Sequence, residues 1–230
     1  GTDTTSATYT INLTGADDLR RPDLANRSQP SPLSISQFQQ KLRRQVLQSS
    51  KENNNEKLPS IHDATTQKET STFKLINPTK VGNKKINSII IGTEKKDKIT
   101  GTSSGEIITS MSGKDKIKGG GGADGFLFQD PNNFGKKERD TILDFKPKEG
   151  DSLLIDKDVF DFGNNLKVKT VKNKKKAKKQ DDSKADFIYE EKRGLLYYNE
   201  NGKKDGWGDG GLFVKLKGAP ELSESDFTIV

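Results

Sequence analysis

GTEKKDKIT (92–100), GTSSGEIIT (101–109), SMSGKDKIK (110–118) and GGGGADGFL (119–127) are consecutive stretches of nine residues that share a register when set one beneath another. The sixth place holds Asp97, Glu106, Asp115 and Asp124. The eighth holds Ile99, Ile108, Ile117 and Phe126, and the first holds Gly92, Gly101, Ser110 and Gly119. A carboxylate two residues ahead of a large apolar residue, repeated at one period, matches a nonapeptide β-coil. In such a coil about six residues turn and about three run straight. The apolar eighth residue points inward. Two nonads close one flat ring, so the turns on each edge stack two nonads apart. The turn asks for positive φ, which glycine adopts without steric cost. Carbonyl oxygens and sixth-place carboxylates of stacked turns then converge, Asp97 with Asp115 on one edge and Glu106 with Asp124 on the other. A shell of about six such oxygens suits a hard cation such as calcium.

On these residues the stretch resembles the RTX family, the hemolysin-type calcium-binding repeats of secreted bacterial proteins, in the form of a serralysin-like C-terminal roll. The resemblance implies a parallel β-roll that binds calcium between its turns and folds on meeting calcium outside the cell. By position it implies ligand carboxylates at Asp97, Glu106, Asp115 and Asp124, and turn glycines at Gly92, Gly101, Gly113, Gly119, Gly120 and Gly122. This chain also departs from the family pattern. Only the fourth nonad has all three consensus glycines, and Lys95 and Ser104 stand where glycine is wanted. Glu106 is longer than aspartate. Lys95, Lys96, Lys98, Lys114 and Lys116 bring positive charge, which disfavours a cation. The competing expectation is a degenerate roll that keeps the coil without its metal.

After Leu127 the register breaks, and Asp130-Pro131 reads as a turn rather than a self-cleavage site. DTILDFKPKEGDSLLI (140–155) resembles the family's closing motif at Asp140, Ile142, Asp144, Phe145, Gly150, Asp151 and Leu153. Ile142 and Phe145 are expected to plug the roll's end. Asp140 or Asp151 either adds an oxygen to a terminal calcium or caps a loop. Further on, LKVKTV (166–171), ADFIYEE (185–191), GLLYYNENG (194–202) and GGLFVKLKG (210–218) read as antiparallel strands. Phe187, Tyr189, Leu196, Tyr198, Phe213 and Leu216 form one face, and 173–184 is a basic turn or loop. Residues 199–211 lack the terminal glutamate of an EF-hand loop and read as a turn. Trp207 is either a lid on the sheet or an exposed binding aromatic. The end, Asp226-Phe227-Thr228-Ile229-Val230, resembles the signal read by type I secretion machinery.

The 230 residues are 29% hydrophobic and 32% charged, with 22 glycines, too little apolar content for the whole chain to pack. The predicted fold is all-β: a short parallel roll at 92–127 continued by an antiparallel sheet or sandwich over 81–230. Residues 1–80 read as a largely disordered linker, with a strand at TYTINLT (8–14) that suits the last strand of an upstream domain, and a weak amphipathic helix at 34–50. Ile89–Ile91 is a lead-in strand or a degenerate nonad covering the open end of the roll. The absence of cysteine excludes disulfides and thiolate zinc sites. His62 is the only histidine, so a zinc-protease helix is excluded. No apolar run is long enough to span a membrane. The chain opens at Gly1 without Met and is expected to be part of a longer protein. Its net charge of +7 allows contact with an acidic surface polysaccharide. Nucleic acid is a poor fit because arginines and aromatics are sparse among the lysines. Together these features predict a non-enzymatic, extracellular calcium module, or else a metal-free adhesion module.

Overall fold

The computed structural model describes residues 7–11, 70–81, 84–93, 95–128, 134–156, 160–162, 165–178, 184–202, 204 and 206–229. Ahead of the repeats lie β1 (Ala7–Ile11), β2 (Ser71–Val81) and β3 (Lys84–Ile91). The nonads supply β4 (Lys98–Thr100), β5 (Glu106–Thr109), β6 (Lys116–Lys118) and β7 (Gly125–Phe128). The closing segment gives β8 (Asp140–Ile142) and β9 (Ser152–Ile155). Then come β10 (Val168–Val171), the single-turn helix α1 (Lys174–Lys178), β11 (Phe187–Glu190), β12 (Leu195–Tyr198), β13 (Gly211–Leu216) and β14 (Phe227–Ile229).

The nine-residue period alternates strands between two sheets. One has the order β1-β2-β3-β5-β7-β9-β14, the other β10-β11-β12-β13-β8-β6-β4. Within each sheet the nonad strands pair in parallel, Ile99 opposite Ile117 and Ile108 opposite Phe126, each partner 18 residues along the chain. The eighth-place residues Ile99, Ile108, Ile117 and Phe126 meet Ile90, Ile142 and Leu153 in one core between the sheets. Full burial of such a side chain stabilises by roughly 1.5–3 kcal/mol. The Phe145 ring lies 5.8 Å from that of Phe126. Ile142 and Phe145 are buried in this core, but β8 pairs onward with β13, so they join the roll to the C-terminal sheet rather than plug an open end. The sheets differ on their outer sides. β4 and β6 expose the residues flanking a buried isoleucine, whereas β5 and β9 are buried on both faces.

Ile89–Ile91 belongs to β3, which runs parallel to β5 with Ser88 opposite Glu106 and covers the first turn of that sheet. β1 pairs in parallel with β2 in this same sheet. β2 spans the boundary placed at residue 80. The C-terminal region also departs from an all-antiparallel reading. β11–β12 and β12–β13 are antiparallel, but β10–β11, β13–β8 and β14–β9 are parallel. The chain leaves β8 for β9 of the opposite sheet, re-enters as β10 and reaches β8 again only as β13, and such a long connection permits parallel pairing where a tight hairpin cannot.

The predicted apolar face of Phe187, Tyr189, Leu196, Tyr198, Phe213 and Leu216 lies in the main core. Trp207 is a lid: it stacks on Tyr197 at 5.1 Å and 14° on the other side of the sheet. Part of the basic 173–184 segment is α1 rather than loop, because Ala177 is buried against Val171, Ala185 and Ile188. The 34–50 helix, His62, Asp130-Pro131 and Val230 lie outside the described residues. Among the described residues no helix is long and apolar enough to cross a membrane.

Candidate metal centre

The stacking of nonads places acidic side chains in a ladder along each edge. On one edge Asp97 N–H donates to Asp115 Oδ1 at 2.7 Å, and Asp115 N–H to Asp140 Oδ1 at 2.9 Å. On the other, Glu106 N–H donates to Asp124 Oδ1 at 2.9 Å, and Asp124 N–H to Asp151 Oδ1 at 3.0 Å. Each carboxylate thus closes the backbone of the preceding turn. Both closing-motif aspartates, Asp140 and Asp151, extend these ladders. Carbonyls stack there too. Ser110 O and Gly119 O lie 2.5 and 2.2 Å from where a Cβ on Gly92 or Gly101 would stand. Those two glycines, with Gly119, are required for close approach. Left-handed backbone is confined to Gly113, Gly120 and Gly122 among the six predicted turn glycines, at φ of 119°, 102° and 92°.

The turns fall into two kinds. In the first two nonads the second place is threonine. Thr93 donates N–H to Asp97 Oδ2 at 2.6 Å and its hydroxyl lies 3.0 Å from the same oxygen. Thr102 donates N–H to Glu106 Oε2 at 2.9 Å and its hydroxyl to Oε1 at 2.5 Å. Each hydroxyl also accepts the N–H two residues on, from Lys95 and Ser104, both at 3.1 Å. This side-chain turn replaces the left-handed glycine turn, so a non-glycine fourth residue fits. The third and fourth nonads have Met111 and Gly120 in the second place, both left-handed, with φ of 63° and 102°. Neither offers a hydroxyl. Gly119 and Gly120 donate their N–H groups to Asp144 at 2.9 and 3.1 Å instead of to Asp124.

As a consequence Asp115 Oδ2 and Asp124 Oδ2 are buried with no hydrogen-bond donor. An unpaired polar atom away from water is costly, and a charged one more so. Burial, reinforced by the neighbouring Asp140 and Asp97 charges, pushes the Asp115 carboxyl up to about 8. Burial and the Asp151, Glu106 and Asp144 charges lift Asp124 to about 7. Asp140 is lifted to about 6 mainly by burial, held back by the hydrogen bonds it accepts, including Ser110 Oγ at 2.8 Å. Asp151 is raised by burial as well. Carboxylate and carbonyl oxygens are the ligand type that a hard cation takes. Among the described residues no three acidic, His or Cys side chains form a ready cluster, so side chains supply only part of any shell. Lys95, Lys96, Lys98, Lys114 and Lys116 are all exposed, and none pairs with a ladder carboxylate among the described residues.

Asp97, Glu106, Asp115, Asp124, Asp140 and Asp151 are thus brought together on two edges. The sequence reading missed Thr93, Thr102, Ser110 and the role of Asp144. The signal was present: a threonine directly after the first-place glycine, four residues before the carboxylate. The predicted export tail is built into the fold, Phe227 packing on Phe187 at 5.5 Å and Asp226 capping Ser223.

No family model matches the chain, and no curated protein matches it. Among solved structures, the chain is similar to the AlgE6R3 subunit from the Azotobacter vinelandii mannuronan C5-epimerase, a solution structure, at 23% identity. The match covers 61% of this chain and 76% of that one, with a TM-score of 0.35. The assignment to an all-β parallel roll continued by a mixed sheet rests on the strand register itself.

Proposed function

We propose that this chain is a non-catalytic, calcium-binding RTX-type β-roll module of a secreted bacterial protein. The observation that carries the proposal is the pair of buried, donor-less oxygens, Asp115 Oδ2 and Asp124 Oδ2. Asp115 with Asp140, and Asp124 with Asp151 and Asp144, would hold the ions. Asp97 and Glu106, with the turn glycines Gly92, Gly113, Gly119, Gly120 and Gly122, would shape the stacked turns around them. When bound, calcium supplies the positive charge that these carboxylates lack. The chain's own part is to offer pre-stacked oxygens only in the folded state. Binding then becomes folding energy, about 2.7 kcal/mol at a calcium concentration 100 times Kd. At low calcium, carboxylate repulsion and glycine entropy favour an open, export-ready chain. The terminal segment 226–230 would serve as the address for type I secretion machinery.

One observation favours a second reading, a roll that works without metal: Thr93 and Thr102 already satisfy Asp97 and Glu106. Isothermal calorimetry of the full chain with calcium, and with magnesium as control, separates the two. Saturable calcium heat, with a rise in melting temperature that chelator reverses, supports the first. Absence of calcium heat, with identical melting in chelator, removes it.

A further inference from the structure

The second sheet carries a feature that calcium binding does not use. Its pairings set Lys98, Lys116, Thr141, Lys215 and Leu195 in a single row across β4, β6, β8, β13 and β12. Adjacent strands lie about 4.8 Å apart, so the row presents one side chain per strand step. Alternation puts Lys118 and Lys217 on this same outer face, because Ile117 and Leu216 between them and the row point into the core. Around Leu195, Lys215 and Lys217 a shallow depression is completed by Arg139, Lys192 and Arg193. Fully buried Glu190 accepts from Arg193 Nε through Oε2 at 2.6 Å, and its Oε1 has no hydrogen-bond partner. Arg139 Nε has no hydrogen-bond partner. Among the described residues, Lys98, Lys116, Lys118, Arg139, Lys192, Lys215 and Lys217 form no ion pair. One acidic ladder, Asp97, Asp115 and Asp140, runs one residue before the row's Lys98, Lys116 and Thr141.

We propose that this outer face of the second sheet, from Lys98 across to Lys192, binds a linear acidic polysaccharide that carries about one carboxylate per sugar unit. The row is cationic at three of its five places, Lys98, Lys116 and Lys215, at a strand step comparable to the length of one sugar. That suits a linear polymer with repeated negative charge. A single-stranded nucleic acid would want a ring for each base. Here one aromatic pair, Tyr197 on Trp207, flanks the row, and the two rings already stack on each other. A lipid surface would want protruding apolar groups, yet Leu195, the apolar member of the row, is only 5% exposed.

The test uses the full chain with calcium present at physiological salt, and labelled polygalacturonate as probe in fluorescence anisotropy. Neutral dextran, single-stranded DNA and anionic phospholipid vesicles serve as comparators. Replacing Lys116, Lys118, Lys215 and Lys217 together by Gln is expected to weaken polygalacturonate binding by about tenfold or more, and to flatten its salt dependence. Lys→Gln changes at Lys85, on β3 of the first sheet, and at Lys148, in the closing turn, should leave it unchanged. The four-site variant keeps every ladder carboxylate, so its calcium response should match the parent's, which separates this proposal from the calcium reading. Circular dichroism checks that the variant is folded. The proposal is overturned if the parent does not bind polygalacturonate, if the folded variant binds as tightly as the parent, or if DNA or vesicles bind the parent more tightly.

Discussion

In the turns 92–97 and 101–106 a threonine hydroxyl and its N–H sit against the sixth-place carboxylate. In the turns 110–115 and 119–124 the equivalent places belong to Met111 and Gly120, both left-handed, and one oxygen of each carboxylate is left without a donor. The strands between these turns pair at one spacing throughout, so backbone architecture does not separate the two halves. What separates them is how charge is neutralised. The first half carries its own donors. The second half leaves Asp115 Oδ2 and Asp124 Oδ2 buried without a donor. A degenerate repeat is thus not simply a weakened one, since threonine at the second place compensates for the missing glycine at the fourth.

Exchanging Asp115 and Asp124 together for Asn should have the largest effect. It keeps the Oδ1 acceptors and removes the buried charge, so calcium heat should fall by more than tenfold while chelated protein melts at a higher temperature than the parent. A variant that retains the parent's calcium isotherm would erase the distinction between the halves. Thr102→Val comes next. It strips the hydroxyl from the fully buried Glu106 and should destabilise by about 1–3 kcal/mol, equally with calcium and with chelator, as read by urea unfolding. Calcium-dependent rescue of this variant would mean that the first half binds metal too.

The pH dependence sharpens the same contrast. The folded values of Asp115, Asp124 and Asp140 are raised to about 8, 7 and 6 from a reference of 3.8. The folded state then holds protons that the unfolded chain releases. The stability from these groups is complete below about 4 and is lost as pH rises through about 6 to 8. In chelator the melting temperature should therefore fall between these limits, by about 5–10 °C. Calcium should flatten the slope, since it replaces the protons. The smallest effect is expected from Lys95→Gly and Ser104→Gly. These bring the turns to the glycine pattern of the repeats they resemble, yet should cost about 0.5–1 kcal/mol each in backbone entropy, with no gain in calcium binding.

The fold was legible because its signal is periodic. Eighth-place Ile99, Ile108, Ile117 and Phe126 specify the register, and that register specifies the sheets. The burial of Ile142 and Phe145 followed from the same logic, but not the continuation of the sheet past β8 to β13. Parallel pairing of β10, β13 and β14 was not legible, because strand direction depends on long connections rather than local pattern. The ladder carboxylates were legible by position, but not their inequality. That depends on Thr93 and Thr102, which a glycine-centred reading treats as filler. The lysines flanking the carboxylates looked like competitors for the ion. In a strand of three residues the neighbours of an inward isoleucine point outward, so Lys98 and Lys116 face solvent.

The most direct test of the unequal halves is residue-resolved amide hydrogen exchange on the full chain, in chelator and in saturating calcium. Protection should rise with calcium across 110–127 and 140–155 by at least an order of magnitude more than across 86–109. An equal rise over both segments, or none in either, would contradict the account.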